Sequence, residues 1–169
     1  MRKILNMGCG LREIVGFKDE VKLVTLDMNP EVKPDIVWDL NKHPLPFDDE
    51  EFDEIIALDV LEHLGSQGDF KFFFSEFSEY WRILKNEGIF HGSVPIENKQ
   101  WAFGDPGHTR IFSMQYLTFL DQQAYEQCGI TQLTDYRYLW KRNFKILSIT
   151  YHDPTVASWN FSLQKVDNV

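Results

Sequence analysis

Short apolar runs alternate with amphipathic or polar stretches along most of this chain, the pattern of a sheet covered by helices rather than of a helical bundle or a sandwich. Five runs predict strands: Lys3–Met7, Lys22–Leu26, a short Asp35–Trp38, Phe52–Leu58 and Gly88–Val94. A helix is expected from about Gly10 to Phe17, and a longer one from about Asp69 to Lys85. In the longer one, Phe70, Phe73, Phe74, Phe77, Trp81 and Leu84 recur at the three-and-four spacing of a single buried stripe, and Gly88 ends the element. Between the second and third strands only residues 27–34 remain, and Pro30 and Pro34 discourage a helix there, so this crossover shrinks to a loop. Ser113 to Cys128 is again helical in pattern, with Gly129 as the stop. Residues 130–143 fit helix and extended chain equally well. Phe144–His152 and Val156–Val166, separated by Asp153-Pro154-Thr155, read as a terminal antiparallel hairpin. The fold class is therefore α/β, a doubly wound, Rossmann-like, mostly parallel sheet in a single domain over residues 1–169.

The chemistry is concentrated at the ends of the predicted strands. Gly8-Cys9-Gly10 follows the first strand directly, and a glycine turn lets backbone N–H groups approach a ligand where a Cβ would intervene. Asp27 ends the second strand 17 positions after Gly10, close to the spacing of an acid that accepts ribose hydroxyls. The third glycine of a dinucleotide fingerprint is missing, since Leu11-Arg12-Glu13 follows Gly10 and places an acid where a pyrophosphate would arrive. The pattern favours a nucleoside without phosphate and argues against a nucleotide-dependent oxidoreductase.

Together with Asp39-Leu40-Asn41-Lys42-His43-Pro44-Leu45-Pro46-Phe47, Phe52-Asp53-Glu54-Ile55-Ile56, Val60-Leu61-Glu62-His63-Leu64 and Arg82-Ile83-Leu84-Lys85-Asn86-Glu87-Gly88, this turn resembles the class I S-adenosylmethionine-dependent methyltransferases over about residues 3–95. The resemblance implies S-adenosylmethionine as cofactor. It places Asn6, Gly8, Cys9 and Gly10 beside the methionine moiety, Asp27 with Met28 at the ribose, Asp39 with Leu40 at the adenine, and Asp59 with His63 near the amino acid or sulfonium end. Asn6 stands where many members carry an acid, so it orients the turn without charge. The Asp39–Phe47 segment looks one residue longer than a common variant, with His43 as the apparent insertion.

Methyl transfer from a sulfonium needs orientation more than a catalytic dyad, because alignment of two bound reactants supplies on the order of 7–11 kcal/mol. For a hydroxyl or amine acceptor, the residues to watch lie in Gly104-Asp105-Pro106-Gly107-His108-Thr109-Arg110: His108 as the proton acceptor and Arg110 as the holder of a carboxylate or phosphate. Trp101 belongs to an aromatic set beyond the cofactor half that could line an acceptor pocket. The rival reading for each of these is a structural one, a cap, turn or core residue.

Composition narrows the partners. Seventeen basic against 26 acidic residues give a formal charge of −9, which repels a phosphate backbone and disfavours nucleic acid. The run Asp48-Asp49-Glu50-Glu51 reads as a solvated turn. There is no long apolar run and no signal-peptide pattern, so no membrane association is expected and the cytoplasm is the default. Two cysteines cannot build a disulfide framework, and five scattered histidines show no metal-ligand spacing, so no metal is expected. Only two residues precede the first predicted strand, so the N-terminal helices that often cover the substrate in this family are expected to be absent, and exposed aromatic surface is compatible with a homodimer. The expected function is methyl transfer to a small-molecule acceptor. The alternative is a cofactor-binding module or regulatory partner without catalysis of its own.

Overall fold

The computed structural model describes residues 1–17, 19–151 and 157–167. Among these residues, seven strands form one sheet in the order β3-β2-β1-β4-β5-β7-β6. They are β1 Arg2–Met7, β2 Val21–Asp27, β3 Ile36–Val37, β4 Phe52–Leu58, β5 Leu84–Pro95, β6 Phe144–Tyr151 and β7 Ser158–Lys165. Strands β1 to β5 pair in parallel, and β7 runs antiparallel between β5 and β6. The order reverses between β1 and β4, and the carboxyl ends of those two strands bound the crevice in which such a sheet binds ligands. The turn Asp153-Pro154-Thr155, expected to close the terminal hairpin, lies outside the described residues.

One long helix, α1 Phe70–Ile83, packs on the sheet, started by Asp69, whose side chain accepts the Phe72 N–H. Its buried stripe is Phe73, Phe74, Glu76, Phe77, Tyr80 and Ile83. Phe70, expected in the stripe, is 38% exposed, and Leu84 begins β5 rather than ending the helix. The stripe meets Leu5, Met7, Ile55, Ala57, Phe90, Phe161 and Leu163 from the sheet in a single core rich in ring contacts.

Two local expectations are corrected. The helix after Gly10 does not form: residues 12–17 have no regular structure, Leu11 and Val15 are 86% and 80% exposed, and Gly16 sits at φ 95°. So short a segment with β-branched Ile14 and Val15 cannot sustain a helix without an apolar face to bury. Residues 113–128 form two 3-10 stretches, Met114–Leu120 and Gln122–Gln127, instead of one α-helix. Asp121 takes an extended conformation between them, with its side chain accepting the Gln123 N–H. Residues 130–143, ambiguous in the sequence, contain no helix or strand and drive Trp140 into the core, its Nε1 donating to the Leu120 carbonyl at 3.0 Å. A further short helix, α2 Gln100–Gly104, follows β5, and a single 3-10 turn, Pro30–Val32, replaces the crossover helix between β2 and β3.

Candidate functional site

The turn after β1 is shaped by two left-handed glycines, Gly8 at φ 59° and Gly10 at φ 52°. A Cβ at Gly8 would stand 2.5 Å from a Val60 methyl carbon, whereas one at Gly10 would meet nothing within 4 Å. The first glycine is thus required by packing against the turn after β4, and the second leaves open space over the backbone. Asp27, at the end of β2, braces this turn: Oδ2 accepts the Gly10 N–H at 2.9 Å and Oδ1 accepts the Asn29 N–H at 2.9 Å. The structural role weighed for an acid here is therefore real, and each oxygen keeps a second lone pair for a ligand.

Gly8, Asp27, Met28, Asp39, Leu40, Asp59 and His63 line one cavity of about 250 Å³. Asn6, Gly8, Cys9, Gly10, Arg12 and Asp59 line a second of about 240 Å³. Gly8 and Asp59 belong to both, so the two adjoin as one trough along the strand ends, of the size that small-ligand sites occupy. Asn6 lies 4% exposed at its floor. Burial and the nearby Asp27 carboxylate push the Cys9 thiol up, which keeps it protonated and unreactive. Asp39 is held below the usual carboxylate range, chiefly by the Asn41 backbone N–H it accepts, so it enters the trough as an anion.

Asp59 is a non-glycine residue at φ 56°, and strain of this kind is commonly retained at ligand sites. Its carboxylate is fixed by the hydroxyls of Ser93 at 3.0 Å and Ser158 at 3.2 Å on Oδ1, and by the Arg12 guanidinium at 3.4 Å on Oδ2. Sequence reading did not single out Arg12 as a site residue. Nothing in its local pattern marks it, because it reaches Asp59 only by virtue of the irregular path of residues 11–17.

The 3-10 turn after β4, Leu61–His63, is clamped by the loop that carries His108. Both the Thr109 and Arg110 N–H groups donate to the Glu62 carbonyl, and the Gln67 N–H donates to the Thr109 carbonyl. His63 Nδ1 lies 3.1 Å from the Gly107 carbonyl, and the His63 and His108 rings meet edge-on with centroids 4.6 Å apart. His108 Nε2 is 3.9 Å from Glu62 Oε1. His108 is therefore packed against this turn, whose His63 lines the trough.

Arg110, expected to hold an acceptor anion, is engaged inside the protein. Its side chain is 4% exposed, and it donates from Nη2 to both oxygens of the wholly buried Glu76, at 2.9 and 2.8 Å, and from Nε to the Leu61 carbonyl at 2.7 Å. Glu76 already supplies the countercharge. Trp101, on α2, is 55% exposed and lines neither cavity of the trough. His91 lies within β5 with Nδ1 2.9 Å from the Ser162 hydroxyl, and burial lowers its pKa.

No protein-family model matches this sequence, and no curated protein does. Solved structures match over nearly its whole length. A SAM-dependent methyltransferase from Methanosarcina mazei superposes with a TM-score of 0.61 at 16% identity, covering 98% of this chain and 92% of that one. The fold is that of the class I methyltransferases. A SAM-dependent methyltransferase from Archaeoglobus fulgidus gives 0.62 at 16% identity, covering 97% and 86%. The N-methyltransferase NodS from Bradyrhizobium japonicum, in complex with S-adenosyl-L-homocysteine, gives 0.61 at 11% identity, covering 98% and 79%. Among the described residues, no helix of this methyltransferase-fold chain is long and apolar enough to cross a membrane.

Proposed function

We propose that the protein is an S-adenosylmethionine-dependent methyltransferase acting on a small-molecule acceptor in the cytoplasm. The observation that carries this reading is the trough itself: a glycine turn, a brace-held Asp27 and an ionised Asp39 from three successive strand ends line one continuous space with Asp59 and His63. The residues fit the cofactor. The open space beyond Gly10 admits the methionine portion, Asp27 has lone pairs left for the ribose hydroxyls, and the apolar wall at Leu40 beside Asp39 suits a purine bearing an amine. When bound, the cofactor supplies an electrophilic methyl group on a positively charged sulfur. The chain's own contribution is to orient the acceptor and exclude water, with Asp59 and Asp39 giving the trough a negative potential that favours a cationic ligand.

Calorimetric titration with S-adenosylmethionine, S-adenosylhomocysteine and NAD tests the reading. The two sulfur nucleosides are expected to bind and NAD is not. Binding of NAD alone, or of none of the three, would overturn it. Transfer of a labelled methyl group in a screen of small hydroxyl and amine acceptors then separates an enzyme from a module that only binds.

A further inference from the structure

Glu62 is 2% exposed, and among the described residues neither of its carboxylate oxygens has a hydrogen-bond partner. The nearest basic nitrogen, His108 Nε2, is 3.9 Å away, too far for a hydrogen bond. The His108 Nδ1 is also buried without a partner among the described residues. Native structures leave few such groups, and a buried carboxylate with both oxygens unpaired calls for a missing neighbour such as an ion. One ligand atom from each of Glu62, His63 and His108 lies within 4.8 Å of the others. A tetrahedral ion with bonds of about 2.1 Å needs its ligand atoms about 3.4 Å apart, so side-chain rotations of about an ångström close the cage. His63 is already oriented: its Nδ1 faces the Gly107 carbonyl at 3.1 Å, which puts the proton on that nitrogen and leaves Nε2 with a lone pair, the usual outer support of a metal-bound imidazole.

We propose that Glu62, His63 and His108 bind a divalent first-row transition ion such as Zn²⁺, Mn²⁺ or Fe²⁺. Two imidazoles and one carboxylate suit these ions, whereas Mg²⁺ and Ca²⁺ prefer all-oxygen cages. The two histidines lie 45 positions apart, so their spacing showed no metal signal in the sequence. The cluster opens through the exposed His63 onto the trough that also holds Asp39 and Asp59. Three protein ligands leave the ion an open position on that side. There it takes an oxygen of the methyl acceptor, a clause that rests on the methyltransferase reading. The acceptor hydroxyl loses its proton to solvent, its oxygen forms the new C–O bond, and the C–S bond breaks with its electron pair going to sulfur.

The test uses the full chain after removal of metals with a chelator. Zn²⁺ is titrated by calorimetry and Co²⁺ by visible absorption, on the parent protein and on Glu62→Gln, His108→Ala and His91→Ala, with circular dichroism checking that each variant is folded. The expected result is one ion per chain with a dissociation constant of about 1 μM or below, weakened about tenfold or more in Glu62→Gln and His108→Ala and unchanged in His91→Ala. Should His108→Ala fail to fold, the near-isosteric Glu62→Gln alone decides. No binding up to about 1 mM, or binding that Glu62→Gln leaves intact, would overturn the site in favour of a water or a protonated acid. S-adenosylhomocysteine is titrated on the same preparations: an ion without the nucleoside leaves the site standing and removes the methyltransferase reading, and the nucleoside without an ion does the reverse.

Discussion

Replacing Arg110 by Met isolates the buried pair that links α1 to the site. In the parent protein Arg110 gives two hydrogen bonds to Glu76 and one to the Leu61 carbonyl, and its guanidinium carbon lies 5.8 and 5.5 Å from the ring centroids of Phe72 and Phe112. Glu76 is wholly buried and, among the described residues, otherwise accepts only the Tyr80 hydroxyl, at 3.0 Å. Burial raises its proton affinity against the pull of Arg110. Removing one partner of such a pair costs about 3–5 kcal/mol, because the other is left buried and uncompensated. A chain of this size has a total stability of roughly 5–15 kcal/mol and loses about 2–4 °C of midpoint per kcal/mol, so Arg110→Met should lower Tm by roughly 6–20 °C. Urea unfolding followed by the fluorescence of the five tryptophans measures the loss, with the midpoint falling and the slope unchanged. Adding Glu76→Gln should recover part of it, since the orphaned charge is then gone. A loss under about 1 kcal/mol for Arg110→Met would refute the reasoning.

The remaining predictions concern the trough and the acid limb of stability. Asp27→Ala should weaken S-adenosylhomocysteine binding about tenfold or more by calorimetry, equivalent to about 1.4 kcal/mol, and an unchanged affinity would deny Asp27 a ligand role. Gly8→Ala forces a methyl into Val60 at 2.5 Å on a left-handed residue and should cost about 1–3 kcal/mol of stability in urea unfolding. Gly10→Ala meets open space instead, so its cost is the backbone strain of about 1–2 kcal/mol together with a loss of nucleoside affinity. Asp53 is held below its ordinary value by the Lys3 N–H and the Lys85 ammonium, and Glu79 by Arg82 and the Leu45 N–H. Folded values below unfolded ones mean that their contribution is present above pH about 4 and lost as the pH falls through the folded values. The unfolding midpoint should therefore drop steeply below pH 4, and Lys85→Met should flatten that limb.

What could be read in the sequence is what local geometry demands of particular residue types. A left-handed turn against Val60 requires Gly8, an acid at the end of β2 can reach the Gly10 N–H, and the aromatic repeat in residues 70–83 has only one face to bury. Those elements appeared close to their observed bounds. The missing first helix was illegible for the complementary reason: residues 11–17 carry a weakly apolar pattern, but whether it becomes a helix depends on a packing partner that no local pattern specifies. Residues 113–128 likewise kept their helical character while Asp121 split them into two tighter stretches.

The same distinction separates the candidate residues that line the trough from those that do not. Asp27, Asp39 and Asp59 sit at strand ends, where a parallel sheet forces side chains toward a common edge, and all three line the trough. The environments of Arg110 and Glu62 instead come from far away in the chain: Glu76 is 34 positions before Arg110, and His108 is 46 positions after Glu62. One of these long-range pairings neutralises a cation that looked free to bind an acceptor. The other places a histidine beside a carboxylate without completing a hydrogen bond. The first is a finished interaction, with Arg110 fully engaged on Glu76 and Leu61. The second leaves polar atoms buried and unused at the wall of a ligand trough. An unfinished polar cluster is costly to fold around, which is why chemistry at the strand ends is to be sought at Glu62, His63 and His108 before the more conspicuous Arg110.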